Sequence, residues 1–416
     1  MQTLPGPVTC LAVLLAWAVP AFAVDSSLTP HGGTGPAPAT LAEAVEAAWA
    51  RTPERRVLDA RQEEADARAE RSRSLLSGNP AVRARYQTDE AGSGEGLREY
   101  EGGLDLPLWR PGQRGAEADL ARVSAEAVTR SDAGRRLLVA GEVRERVWAA
   151  ALAENAVRLA EQELATARAL ERDLERRVKA GELARADLLL VRQDTLARES
   201  ALVQARAEAL HALERYARLT GLAALPRHRE ETPLAGDALP ASHPLLAESA
   251  SGVAEALARM GVARRASGGN PTLSLGVKRQ RGDGRTPFDN SVEVAVSVPI
   301  GLSSHSRPAV AEAGRALGQT EADHALMVRE LEGALDAAGH ELAATEERLV
   351  LARSQAALAE DALRLARVAF AAGESDLVAL LRAQAQAFAA QRARQQLEIE
   401  RLLGIARYNQ AMGVMP

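Results

Sequence analysis

Cysteine is nearly missing from this chain. The one copy, Cys10, lies inside an apolar leader rather than at a cleavage point, so neither a disulfide nor a lipid anchor is expected in the mature protein. Aromatic residues make up only 3% of the sequence, which excludes a large interior built on Phe, Tyr and Trp. With so much Ala and Leu, the core is expected to be helix against helix. Beyond the leader, no apolar run approaches the roughly 18 residues that a membrane-spanning helix needs. Blocks of a single charge are also lacking. The net charge is -5, with Arg and Glu interspersed, and that leaves no footprint for nucleic acid. The histidines at 31, 211, 228, 243, 305, 324 and 340 form no close ligand pair and the methionines are dispersed, so no metal site and no cofactor are expected. Glu346 and Glu347 read as a solvated helix face and Gly268-Gly269 as a turn. No catalytic constellation is left, and the chain does not read as an enzyme.

Proline is absent from two long runs, Gly112 to Leu225 and Ala309 to Met415, both rich in Ala, Leu, Glu and Arg. These are the best helix formers, without the residue that breaks a helix interior. The runs predict long helices over about 112–180 and 184–219, and over about 309–372 and 376–411. One helix over 112–180 would be roughly 100 Å long at 1.5 Å rise per residue, and such a rod needs partners along its length. In the second run Leu335, Ala338, Leu342, Thr345, Leu349, Ala352, Ala356, Ala359, Leu363, Ala366 and Phe370 alternate three- and four-residue steps, the seam of a coiled coil. Glu346, Arg348, Arg353, Glu360, Arg364 and Arg367 lie off that seam.

The remaining organisation follows in chain order. Residues 1–23 read as a signal peptide ending in Ala21-Phe22-Ala23, and 24–40 as a Pro/Gly/Ser/Thr tether. Leu41 opens a helix expected to continue beyond Pro53 to about Leu76. Two period-two strands follow at about 81–88 and 98–107, then the long helices. After a linker at 220–240 the order returns: His243-Pro244 as a helix start, strands at about 272–280 and 290–299, and two more helices. The anchors correspond in register: Pro53 with Pro244, Asn79-Pro80 with Asn270-Pro271, Leu106-Pro107-Leu108 with Val298-Pro299-Ile300, and Gly181 with Gly373. Residues 41–219 and 241–416 are therefore two copies of one helix, hairpin, long helix, helix unit.

Each strand is about nine residues long, enough for a tilted strand to cross a bilayer. One face is apolar: Val82, Tyr86, Tyr100, Leu104, Leu273, Leu275, Val277, Val292, Val294 and Val296 are expected to face lipid. The other carries Arg83, Glu101, Ser274, Lys278 and Glu293. Four strands cannot close a barrel, and a sheet in lipid can have no open edge. Three copies would supply twelve strands around a water-filled lumen. The fold class expected is mainly α with membrane β, a trimeric 12-stranded β-barrel carried on a long coiled-coil α-barrel.

The chain resembles the TolC-type outer-membrane efflux proteins, the outer-membrane factors of tripartite efflux systems, in the branch that serves heavy-metal and drug exporters. The residues that carry the resemblance are Leu41-Ala-Glu-Ala-Val with Pro53, Asn79-Pro80, Leu106-Pro107-Leu108-Trp109, and Gly181 with Asp187-Leu188-Leu189, together with the duplicate anchors. The resemblance implies a homotrimer in the Gram-negative outer membrane with a periplasmic helical extension, partnered by a periplasmic adaptor and an inner-membrane efflux pump. Such a duct would passively pass metal ions or small toxic compounds to the exterior. The resemblance also implies a periplasmic gate where the paired helices meet, at Gly181, Asp187, Phe370, Gly373, Glu374, Asp376 and Arg382. Ser375, Ala379 and Arg382 depart from the charges usual there, leaving Glu374 and Asp376 as the nearest acidic substitutes. Asp187 and Arg382, of opposite sign, are a candidate latch. The alternative reading is a periplasmic coiled-coil adaptor, which would have one helical hairpin flanked by β domains rather than a duplicated unit with strands before each helical pair.

Overall fold

The structure is a computed structural model in which residues 40–266 and 268–416 are described; the signal peptide, Cys10 and the tether up to residue 39 lie outside the described residues. The elements are α1 (Leu41–Arg51), α2 (Glu54–Arg73), β1 (Ala81–Thr88), β2 (Arg98–Pro107), α3 (Gln113–Lys179), α4 (Arg185–Thr220), α5 (Pro244–Ala266), β3 (Thr272–Arg281), β4 (Asp289–Ser297), α6 (Ser303–Ala371) and α7 (Leu377–Ala411). Helices and strands alternate in the same order twice.

Two expectations about helix ends are corrected. The first helix does not run through Pro53. It stops at Arg51, and Thr52 is extended (φ -71°, ψ 126°), the conformation that a residue before proline prefers. The Thr52 hydroxyl donates to the Ala48 carbonyl at 3.0 Å and so satisfies one end group of the broken helix. In the second unit the helix begins with the proline instead: Pro244 is the first residue of α5, where a missing N–H costs nothing. His243 precedes it, with Nδ1 accepting from the Leu245 amide at 3.2 Å. Burial pushes the His243 imidazole below its ordinary pKa. The other correction concerns α6, which starts at Ser303 and carries Pro308 near its exposed N-terminal end, where losing one backbone bond is tolerable.

The helices form a layer in which the 67-residue α3 and the 69-residue α6 are the longest members. In the half nearest the strands α2 packs on α3, α3 on α5, and α5 on α6. In the other half the order is α4, α3, α7, α6. Small residues let the rods approach closely: Ala140, Ala150, Ala151 and Ala167 on α3, and Ala352 and Ala356 on α6, are all buried. The coiled-coil seam of α6 is seen as expected, with Leu335, Thr345, Leu349, Ala352, Ala356, Leu363 and Phe370 buried. Leu349 and Ala352 meet Leu397 of α7.

A belt midway along the layer ties its parts together. Leu41, Ala44, Val45 and Ala48 of α1 bury against Ala140, Val143 and Val147 of α3 and Tyr216 of α4. Beside them Arg144 is 1% exposed. Its guanidinium donates to both carboxylate oxygens of Glu231 in the linker at 2.9 and 2.6 Å, to Gln410 Oε1 of α7 at 2.5 Å, and to the Val414 carbonyl at 2.9 Å. A planar fork paired with a carboxylate is the geometry in which a buried charge can be satisfied. One side chain of the first unit thus holds the linker and the C-terminus of the second.

Two stability tests follow. Leu349→Ala removes a buried seam residue and should destabilise by about 2 to 5 kcal/mol, while Arg353→Ala, whose contact with Glu398 is 3.8 Å and exposed, should cost under about 1 kcal/mol. Denaturant midpoints of the two variants check this, and equal losses would reject the seam. In the belt, Glu231→Ala leaves Arg144 buried without its partner and should cost about 3 to 5 kcal/mol, whereas the double change Arg144→Met with Glu231→Leu should recover most of that loss. A double variant as unstable as the single one would show that the pair is not what holds the belt.

Candidate functional site

The strands form one antiparallel sheet in the order β1-β2-β3-β4, with β2 and β3 joining the two units. Register partners share a face. Val82 opposes Leu104 and Tyr86 opposes Tyr100. Leu104 opposes Leu275, and Gly102 opposes Val277. Leu273 opposes Val296, Leu275 opposes Val294, and Val277 opposes Val292. The ten residues singled out from the sequence therefore lie on a single face. Val82 is 85% exposed, Val292 78% and Val294 67%, an apolar patch too continuous for a surface bathed in water.

The opposite face is laced with charges across strands. Arg83 faces Asp105 and Arg85 faces Glu101, each at 3.7 Å, and Lys278 Nζ lies 2.9 Å from Glu99 and 3.5 Å from Glu101. Ser274 Oγ donates to Asp105 at 2.6 Å. The pairs are partly exposed and contribute little stability one by one. Their arrangement makes the sheet two-faced, one side crossed by charges and the other apolar. Strands β1 and β4 each have one edge without a neighbour.

At the far end of the layer each pair of helices is joined by a short turn with the same backbone geometry. Ala180 and Ala372 both have φ -78° and ψ -8°. Gly181 (φ 82°) and Gly373 (φ 78°) follow in the left-handed region that a side chain disfavours. The Glu182 amide donates to the Arg177 carbonyl and the Glu374 amide to the Ala369 carbonyl, both at 2.9 Å, closing the last turns of α3 and α6. The next helices start differently. The Asp376 carboxylate caps α7 by accepting from the Ala379 amide at 2.7 Å, while Ala184 gives α4 no side-chain cap. Behind the turns lies a small core of Leu174, Leu188, Val191, Leu363, Phe370, Leu377 and Leu380. The Arg177 guanidinium lies 5.7 Å from the centre of the Phe370 ring.

The structure brings Gly181, Asp187, Phe370, Gly373, Glu374 and Asp376 to this one end. It does not join Asp187 to Arg382: among the described residues of one protomer neither makes an ion pair, and Arg382 is exposed. Sequence reasoning named Leu188 and Leu363 but missed Arg177 and the other leucines that seat Phe370, Leu174, Leu377 and Leu380. It also missed two apolar stripes with seven-residue spacing, Leu189, Leu196 and Val203 on α4 and Leu351, Leu358 and Leu365 on α6. All six are between 57% and 72% exposed. Each stripe lies away from the face its helix buries within the chain, and the heptad interval was the signal that could have revealed them.

Comparison with known proteins adds the following. Residues 235–413 match the family model described as outer membrane efflux protein. No curated protein matches the chain significantly. Among solved structures the chain is similar to CusC, studied for conformational changes accompanying folding and transmembrane channel formation, with a TM-score of 0.72 at 17% identity over 93% of this chain and 96% of that one. It is likewise similar to the outer membrane protein VceC of Vibrio cholerae, with a TM-score of 0.72 at 14% identity over 90% of this chain and 96% of that one. The CmeC outer membrane channel of Campylobacter jejuni gives 0.71 at 15% identity over 90% and 85%. At these identities the likeness is one of fold. Residues 235–413, fewer than half of the chain, thus match the outer membrane efflux protein family, and the fold is that of the solved outer-membrane channels over nine tenths of the chain's length.

Proposed function

We propose that this outer-membrane efflux channel works as a homotrimer, a passive duct that accepts metal ions or small toxic compounds from a periplasmic adaptor and inner-membrane pump and releases them outside. The observation that carries the reading is the four-stranded sheet with one apolar and one charged face and two open edges. Three copies make twelve strands, and the β4 edge of one protomer can then pair with the β1 edge of the next until the ring closes. The helices support the same closure. Strand β1 follows α2 and β4 leads into α6, so the lateral edges of the helical layer are α2 and α4 on one side and α6 on the other. The stripe on α6 is thereby positioned to meet the stripe on α4 of the next copy, a head-to-tail contact that generates a ring. The charged face of the sheet would line the lumen. An adaptor would not need a sheet with a lipid-facing side.

The end formed by Gly181 and Gly373 is assigned as the periplasmic gate, with Asp187, Phe370, Glu374, Asp376 and Arg382 around it. In a trimer each residue there recurs three times about one axis. Since Asp187 and Arg382 are unpaired within a protomer, the latch reading requires them to meet between protomers. An exposed pair is worth on the order of 0.2 to 1 kcal/mol, so three of them would hold a closed state that docking of a partner can overcome.

Assembly and membrane placement are tested together. Leu196→Glu or Leu358→Glu should each abolish the heat-resistant trimer band on a gel, while Arg348→Gln, off the stripe, should leave it intact. In assembled protein, cysteine placed at Val294 should react with lipid-soluble reagents and cysteine at Glu293 with water-soluble ones. Identical labelling of the two from water would refute the barrel.

The gate is tested by single-channel conductance in a planar bilayer. Asp187→Ala and Arg382→Ala should each raise a low closed-state conductance, and the double change should add little further. No change in either single variant would reject the latch and leave the duct standing.

A further inference from the structure

The hairpin ends of the strands lie farthest from the helices and so, in the barrel, at the outer leaflet. There the lipid-facing side of the sheet changes from apolar to basic. Arg98 opposes Arg281, and Tyr100 opposes Arg279, which puts all three arginines on the same face as Tyr86 and Val277. Arg98 is neutralised by Glu90 at 2.7 Å. Arg279 and Arg281 have no carboxylate within ion-pair distance among the described residues. The nearby Asp283 instead accepts from the backbone amides of Arg285 and Thr286, at 2.8 Å each. The two free guanidinium groups lie 4.6 and 5.0 Å from the centre of the Phe288 ring. Phe288 lies 6.3 Å from Tyr100, which in turn lies 5.0 Å from Tyr86, a short aromatic row at the level where the bilayer of the proposed barrel becomes polar. The Arg281 Nε is buried and has no hydrogen-bond partner.

Directly below the arginines is a groove of about 520 Å³. Its rim is made by Tyr100, Val277, Arg279, Asn290 and Val292, which lie on the lipid-facing side. Glu101, Lys278 and Ser291 contribute backbone to its floor, because their side chains belong to the other face. Gly102 keeps the groove open, since a Cβ built there meets nothing within 4 Å. Cations on a lipid-facing surface are expensive unless an anion sits beside them. The guanidinium fork matches a phosphate, and an apolar groove beneath it matches an acyl chain.

We propose that the outer rim of the sheet binds a phosphorylated amphiphile of the outer leaflet, with its phosphate held by Arg279 and Arg281 and one acyl chain lying in the groove over Gly102. The inference rests on the barrel reading, and the test separates the two. Detergent-purified trimer is incubated with an acylated glucosamine disaccharide bearing two phosphates, or with its phosphate-free form, and retained lipid is measured by native mass spectrometry. The unaltered protein should retain the phosphorylated form about tenfold better, and Arg279→Gln combined with Arg281→Gln should erase that preference. Gly102→Leu should lower retention of both forms by filling the groove. Absence of a preference in the unaltered protein, or its survival in the double variant, would overturn the proposal. Displacement of the lipid by millimolar inorganic phosphate would also overturn it, by showing that the acyl chain contributes nothing. All variants should keep the heat-resistant trimer and its conductance. If the unaltered protein itself forms no conducting trimer, the barrel reading is what fails; a conducting trimer without lipid preference rejects only the lipid site.

Discussion

An unpaired backbone amide in hydrocarbon costs several kcal/mol, and the architecture answers to that constraint. A sheet of four strands with an apolar outer face has two edges that lipid cannot satisfy and water cannot reach. Adding more copies of the same sheet removes those edges. Once the sheet is one third of a ring, the elements attached to its edge strands must also be one third of a ring. The proposed ring would thereby account for the apolar stripes on α4 and α6 that stay exposed in a single protomer. Val82 and Val292 are highly exposed in an isolated protomer, and in the proposed barrel lipid would cover them.

The helical layer solves a different problem. Rods of 67 and 69 residues cannot be stable alone in water, and propensity adds little compared with packing along their length. Alanine at the inner positions brings axes close, and leucine fills the gaps between them, so the contact is long and thin instead of deep. Such a wall has no central core to fix the two structural units relative to each other. The belt supplies the fixing point: α1 covers the middle of α3, and Arg144 reaches from α3 to the linker and the C-terminus through four hydrogen bonds. Placing that charge where it is 1% exposed makes its partners obligatory, which favours a single register of the two units.

Duplication explains both the likeness and the difference of the two helix-to-helix turns at Gly181 and Gly373. The backbone is the same in both, because closing an α-helix and starting another within a few residues requires a left-handed residue, and glycine at 181 and 373 provides it. The side chains around the turns have diverged. Asp376 caps its helix and Ala184 does not, Arg177 lies over the Phe370 ring, and Asp187 has no counterpart charge at Ala379. Around a threefold axis these two kinds of turn would alternate, so the aperture is lined by two chemically distinct surfaces on one repeated scaffold.

Much of this was legible in the sequence, for a physical reason in each case. Two proline-free runs mean helices because the local backbone cost is absent there. The alternation of Leu273, Leu275 and Val277 with Ser274, Gly276 and Lys278 means a two-faced strand because side chains alternate at period two. The repeat, the seam from Leu335 to Phe370 and the glycines at the turns follow from spacing in the same way. Proline at 53 was visible, yet whether the helix would bend or break there depended on Thr52 adopting an extended backbone. Pairing of β2 with β3 across two units, the joining of Arg144 to Glu231, and the stacking of Phe288 between Arg279 and Arg281 were decided only by the tertiary structure. Each joins residues far apart in the chain or across a turn whose geometry is not periodic, and periodicity carries information only along one element. The separation of Asp187 from Arg382 within a protomer belongs to the same class. Opposite charges near two turns say nothing of direction until the helices that carry them are packed.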